Sequence, residues 1–373
     1  MARKHTLGTN MKIALAEETT GYGVKGSAAS PGAGDKFSAD VTESMAKEII
    51  RIERGQIGTN GERQAGLAVG QTVAGAITGL LYFNDNPMWT AIATCIGEET
   101  VSGYGALNSH DFVFGENFYG DNTLERHATL EVMAGIDYPG GSNDLVYQMQ
   151  SFKASSVEFA IDRDTGMKST VTGTSYLCTR EDIDSSTWTC TTDRDELVLT
   201  GNHCTMNMYI ADYAAAQVMD SDDLIRPANV TIMFDQANDA IPDTGTGLGI
   251  AEPVFTPSGR KCTVSWTQDF GDDDDDYGQR DWTSHYEDST AVGIYITIVS
   301  TDGSELRFRF PRCLIDGPGK PIVSGPDVIA MNYSVTAYVP EETQTGTFLG
   351  LSSNAADIKL INSTSGTYLA DIA

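Results

Sequence analysis

Nineteen consecutive residues without a charge, AGLAVGQTVAGAITGLLYF from Ala65 to Phe83, constrain this chain more than any other stretch. The length alone admits a membrane-spanning helix. Four glycines stand inside it, Gly66, Gly70, Gly75 and Gly79, and each costs a soluble helix about 1 kcal/mol against alanine. Their spacing matches the small-xxx-small pattern of paired membrane helices. Against that, Gln71, Thr72 and Thr78 interrupt the apolar run, and only Arg63 supplies a flanking cation. Period two fits better. Val69, Val73, Ile77, Leu81 and Phe83 share one face, and Thr72, Ala74, Ala76, Thr78 and Tyr82 share the other. The run is expected to be a long strand kinked at its glycines.

NDNPMWTAIATCIG follows. Asn86 is placed to cap a helix, Pro87 to occupy its first turn, and Gly97 to close it. Met88, Trp89, Ile92, Cys95 and Ile96 form an apolar stripe, so the expected unit is a long strand feeding a short amphipathic helix. Setting Gly201 under Gly75 aligns VLTGNHCTMNMY with TVAGAITGLLYF, and Asp212 then stands as a second cap over ADYAAAQVMDS. Identity is slight. A true repeat implies two related β-domains with one helix each.

Further strands read at Val41–Ile52, where SMAKEIIRIER also passes as helix, at Arg126–Ile136, and in SVEFAIDRD, which alternates Val157, Phe159 and Ile161 with polar neighbours. AVGIYITIVSTDGSELRFRFPRCLI reads as a hairpin turning at Asp302-Gly303, with Leu306, Phe308 and Phe310 on one face and Arg307 and Arg309 on the other. PDVIAMNYSVTAYVP is another strand, ended by Pro340. Gly21–Lys36, Gly103–Asn122 and Gln236–Gly259 read as an arm and two loops. Phe112, Phe114, Phe118 and Tyr119 are candidate contact aromatics, with tucking back onto their own domain the alternative.

The balance of 24 basic and 52 acidic residues gives a formal charge of −28. That excludes a dominant cationic surface for DNA or anionic lipid. It fits solubility, a saline habitat, or a wall that must not hold a polyanion. Six cysteines, at 95, 178, 190, 204, 262 and 313, make no CxxC pair, so a zinc or redox site is not expected. The apolar MKIALA run is too short for an export signal. The cysteines read as reduced, buried hydrophobes made in a cytosol.

No phosphate loop, HExxH or GxSxG motif occurs. The histidines at 5, 110, 127, 203 and 285 are isolated in sequence. Asp272, Asp274 and Asp276 have the spacing of the first calcium-loop ligands, but the glycine arrives late at Gly278 and position twelve is Thr283. A solvated acidic loop is the plainer reading. No catalytic, cofactor-binding or metal residue is assigned, and no cofactor is expected.

Several segments in order resemble the tail tube proteins of long-tailed, siphovirus-like bacteriophages. IALAEETTGYGVKG resembles their start. VTESMAKEIIRIERGQ with GLAVGQTVAGAITGLLYF resembles their first long hairpin, through Gly70, Val73, Gly75 and Ile77. LRFRFPRCLIDGPGKPIVSGPDVIAMNYSVTAY resembles their closing strands, with its break at Pro311 and its aromatic at Tyr338. The chain is longer than a minimal single-domain tube subunit.

The resemblance implies a mainly β fold. Tube-type β-sandwich or barrel domains, each with a short flanking helix, would assemble into rings with a continuous inner β-barrel. The organisation expected is an arm at 1–40, a first tube-like domain at 41–150, and a second with loop insertions at 151–373. Rings would hold three chains with two such domains, which the repeat favours, or six with one.

The glycine-dotted strand would find neighbours on other copies, closing a wall no single chain closes. Implied partners are the chain itself, a tape measure protein in the lumen, a tail terminator and baseplate hub at the ends, and DNA in transient passage, without membrane insertion. The place implied is the virion, after assembly in the host cytoplasm, in a structural rather than enzymatic role. A terminator or hub of the same fold, a secreted acidic calcium-binding adhesion module and a two-carboxylate hydrolase are the competing classes.

Overall fold

The computed structural model describes residues 11–18, 35–37, 40–52, 67–114, 127–162, 165–188, 203–210, 224–225, 227–236, 238–239, 254–255, 260–269, 282, 286–317, 321–322, 330–339, 355–366 and 368. The chain is mainly β. It opens with β1 (Lys12–Glu17), β2 (Asp35–Lys36), β3 (Thr42–Glu43), β4 (Ala46–Ile52) and β5 (Leu67–Leu80), then α1 (Asn86–Ile96). Next come β6 (Gly97–Tyr104), β7 (Leu107–Phe114), β8 (Ala128–Asp137), β9 (Asp144–Asp162), β10 (Lys168–Ser175) and β11 (Leu177–Ile183). After these run β12 (Cys204–Ile210), β13 (Leu224–Ile225), β14 (Asn229–Asp235), β15 (Asn238–Asp239), β16 (Val254–Phe255) and β17 (Lys261–Asp269). The last are β18 (Val292–Val299), β19 (Glu305–Ile315), β20 (Pro321–Ile322), β21 (Ala330–Ala337) and β22 (Ala356–Asn362).

Twenty of these strands join one branched antiparallel sheet that does not close on itself; β15 and β16 pair separately. The main ladder runs β4-β5-β10-β9-β14-β17-β21-β19. At β19 it divides. Cys313–Ile315 stay with β21, whereas Glu305–Arg309 pair with β22, which carries β7 and then β6. The other edge of β19 takes β18, then β12 and β13. A second branch leaves β9, whose first half pairs with β11 and with β8, the latter carrying β1 and β2.

The two arms of the ladder face each other across an aromatic core. Phe159 of β9 meets Phe308 of β19 edge-on at 5.0 Å, and Phe114 of β7 meets Phe234 of β14 at 5.1 Å. Alternation produces this directly. Val157, Phe159 and Ile161 are buried while Glu158 and Asp162 are exposed, and Leu306, Phe308 and Phe310 have no exposure at all. Full burial of each such aromatic contributes about 1.5–3 kcal/mol. The β18–β19 turn is the expected one. Gly303 has φ 90°, its N–H reaches the Ser300 carbonyl at 3.2 Å, and Asp302 accepts from the Ser304 N–H at 2.9 Å. Of SMAKEIIRIER, ambiguous in sequence, Ala46–Ile52 is extended as β4.

α1 departs from expectation at its start and on its far side. The Trp89 N–H bonds the Asp85 carbonyl at 3.0 Å, so the cap is Asp85 and Asn86 already lies inside the helix. At the other end the Gln236 amide donates to the Cys95 carbonyl, and Gly97 begins β6. Every residue from Pro87 to Ile96 is buried, so the helix is enclosed rather than amphipathic. Its polar side chains bond inward: the Trp89 indole N–H to the Tyr82 carbonyl at 3.0 Å, and the Thr90 hydroxyl to the Tyr368 carbonyl at 3.2 Å, 278 residues away.

Gly103–Asn122, read as a loop, contains the β6–β7 hairpin turning at Gly105 (φ 63°). Phe112 and Phe114 tuck into the core; Phe118 and Tyr119 lie outside the described residues. The helix expected after Asp212 and most of the Gly21–Lys36 and Gln236–Gly259 stretches also lie outside them. β9 runs through residues 150 and 151, and one core cluster draws on residues from Leu15 to Tyr368.

Candidate assembly surface

The glycine-dotted run is extended, as its period requires. β5 takes β4 along one edge and β10 along the other, but the β10 ladder covers only Val73–Leu80. Val73–Leu80 therefore has β10 along one whole edge and β4 at Val73–Ala74 and β3 at Ile77–Thr78 along the other, all within the chain, contrary to the expectation that the run finds its neighbours on other copies. Leu67–Thr72 pairs with β4 alone among the described residues. The kink has a cause at Gly75. A Cβ there would lie 2.6 Å from the Met45 Cα and from the Ser44 carbonyl oxygen, where the chain steps between β3 and β4.

β10 and β9 diverge from β5 at the same level. Opposite Val73, β10 ends at Ser175 and the chain turns into β11. β9 turns with it. Ser151 adopts φ 52° where β9 carries one extra residue against β8 between the Ala128 and Leu130 positions. Positive φ on a serine is unfavourable, and a buried polar cluster holds it. Glu18 accepts from the Ser151 N–H (2.9 Å), the Ser151 hydroxyl (2.8 Å) and the Thr129 hydroxyl. His127 Nδ1 is 2.7 Å from Glu18 Oε2, the oxygen that also takes the Ser151 hydroxyl. Burial raises the pKa of this carboxyl, but the His127 and Thr129 bonds, attraction to His127 and the Ser151 amide outweigh it and hold the group below its ordinary value. Although the cluster contains serine, histidine and a carboxylate, the Ser151 hydroxyl is committed to Glu18 and all four residues are buried. Its role is to fix the bend.

The divergence opens a groove of about 810 Å³ between the β4–β5 hairpin and the branch formed by β8, β9 and β11. Its walls are apolar: Met45, Ile49, Val73, Val132, Tyr147 and Met149. Two cations stand in them. Lys47 donates to the Cys178 carbonyl at 3.1 Å, spanning from β4 to β11, and the Arg180 guanidinium lies 5.6 Å from the Tyr147 ring centroid. Glu43 also lines the groove; burial raises its pKa, opposed by the Met45 N–H that it accepts.

Two polar groups at the groove have no partner among the described residues. The Thr179 hydroxyl belongs to the lining, and Gln71 is only 4% exposed with its amide nitrogen unpaired. The register puts Gln71 opposite Ile49 and Val73 opposite Lys47, so all four share one face of the hairpin, and Lys47, Ile49 and Val73 of that face line the groove.

The remaining sequence candidates separate. His110 is sealed between Glu99 (2.7 Å from Nδ1) and the Thr364 carbonyl (3.0 Å from Nε2), beneath Tyr368. His5, His285 and Asp272–Asp276 lie outside the described residues, and among those described no group of His, Cys, Asp and Glu is arranged to hold a metal. Cys95, Cys178, Cys262 and Cys313 are buried free thiols, Cys204 is partly buried, and Cys190 lies outside. No helix among the described residues is long and apolar enough to cross a membrane.

Sequence reasoning missed the groove because its residues lie in ordinary alternating strands. The one signal available was Gln71, an amide on the apolar face of the glycine-dotted run. No family model matches the chain, and no curated protein matches it.

Proposed function

We propose that this chain is a structural subunit of a bacteriophage tail tube, forming stacked rings whose bore conducts the genome at ejection. The observation that carries the reading is β5, a long glycine-kinked strand in an open antiparallel sheet, paired with β10 along Val73–Leu80 and, among the described residues, with β4 alone along Leu67–Thr72. A half-paired edge is a template for another chain. Repeated around a ring it would give a continuous inner barrel without edges.

The acidity fits this role, since a wall of net negative charge slides past phosphate without trapping it. Partners follow from the role: other copies of the chain, a tape measure protein inside, and terminator and hub proteins at the ends. Such a ring closes with six tube domains. The core shared from Leu15 to Tyr368 favours one per chain, hence six chains, over the tandem arrangement with three. The role needs no catalytic residue or cofactor, and its place is the virion.

Negative-stain microscopy of the purified protein tests the proposal. Rings or tubes with countable subunits are expected, and a chain that stays monomeric at high concentration would refute it.

A further inference from the structure

We infer that the groove between the β4–β5 hairpin and the β8-β9-β11 branch is the seat of a second copy of this chain, which lays an extended acidic segment against the Leu67–Thr72 edge that no described strand covers. The inference rests on the self-assembly part of the proposed function and names the surface that performs it.

Three independent features converge on this place. First, Lys47 and Arg180 have no carboxylate within ion-pair distance among the described residues, although the chain carries 52 acidic residues and only 24 basic ones. With Lys47 and Arg180 against the single carboxylate of Glu43, the lining carries an excess of positive charge that favours an acidic partner. Any second copy, at −28, is one. Second, the Gln71 amide nitrogen and the Thr179 hydroxyl are buried and without a partner among the described residues. Such groups are costly in a finished surface and are satisfied by a strand that brings its own backbone carbonyls and amides. Third, among the described residues Leu67–Thr72 is paired along one edge only and includes Gln71, so backbone pairing and side-chain satisfaction are available to the same segment.

Exposure agrees with this geometry. Ile49 and Met11, at the mouth of the groove, are 45% and 47% exposed, leaving large apolar side chains in water until a partner arrives. Because the groove and the segment that fills it are different surfaces of one chain, the contact is head-to-tail. Such a contact closes into a ring when its rotation permits.

The test places a photo-crosslinking amino acid at Ile49 in an equal mixture of light and heavy-isotope protein, irradiated under assembly conditions. Mixed-isotope crosslinks to an Asp- or Glu-rich peptide are expected. The variants Lys47→Glu and Arg180→Glu are expected to raise the concentration needed for assembly at least tenfold, with unchanged circular dichroism. Lys47→Met and Arg180→Met, which keep the packed stems, serve if the charge reversals misfold, and are expected to shift assembly in the same direction.

Crosslinks confined to single chains would overturn the inference, since the groove would then hold its own chain's residues. Rings from the wild type and from folded charge variants at equal concentration would also overturn it, leaving the tube proposal standing. A wild type that never assembles and gives no mixed crosslink would remove both.

Discussion

His127 Nδ1 lies 2.7 Å from Glu18 Oε2, and neither side chain has exposed surface. The pair, with Ser151 and Thr129, fixes the bend by which β9 serves two branches of the sheet. Its energetics are testable through acid. The Glu18 carboxyl is held below its ordinary value of 4.5, so its stabilisation is complete above that pH. As pH falls through the lower folded value the stabilisation is withdrawn, because the unfolded chain takes up the proton first. Urea midpoints are expected to drop below pH 4.5, and Glu18→Gln to lose part of that dependence. Removing one partner of a buried pair costs about 3–5 kcal/mol, so Glu18→Ala is expected to be less stable by that amount at pH 7. A flat wild-type profile between pH 5 and pH 2 would contradict the assignment.

Gly75→Ala is expected to cost about 1–3 kcal/mol, the usual range for forcing atoms into a filled space. The new methyl would stand 2.6 Å from the Met45 Cα and the Ser44 carbonyl oxygen, and both are backbone. Gly103→Ala, with nothing within 4 Å, is the control and should stay within about 0.5 kcal/mol of the wild type. Equal denaturation curves for the two variants would refute the close-approach argument.

Phe159 touches Trp89, Phe234 and Phe308 at centroid distances of 6.5, 6.1 and 5.0 Å, joining α1 to both arms of the ladder. Phe159→Ala is expected to lose about 3–5 kcal/mol, read by urea denaturation. A loss below 1 kcal/mol would mean that the arms do not pack through this ring.

The thiols offer an independent check on burial. Burial raises the pKa of Cys95, Cys178, Cys262 and Cys313, and pushes Cys204 up to about 12. Thiolate is the reactive form. In a Cys190→Ser background, none of the five is expected to react with a thiol reagent at pH 8 within minutes, and all five after denaturation. Rapid native labelling of two or more would contradict this core.

The parts of the fold legible in sequence were those governed by nearest neighbours. Alternation located Val157, Phe159 and Ile161, and the Asp302-Gly303 turn set the β18–β19 hairpin. Period-two alternation, with Gln71, Thr72 and Thr78 inside the apolar run, separated β5 from a membrane helix. Features that depend on distant segments were not legible. α1 reads as amphipathic because its stripe is local, yet Thr90 and Thr94 are covered by Tyr368 and by the Ala154 N–H. Ser151 carries a left-handed φ that its residue type does not announce. Lys47 and Arg180 look like solvated charges until the register sets them in one groove. The cap at Asp85 was missed by one residue, because Asn86-Pro87 is itself a strong starting signal.

The link from Thr90 to Tyr368 also sets a timetable for biosynthesis. On a translating ribosome α1 emerges long before the residues that cover it, and β7 waits for β22 until the synthesis of the described chain is almost complete. Closure over such sequence distances is slow, and an edge left open in the interval invites the wrong neighbour. Nascent chains must therefore be kept apart until β22 docks on β7.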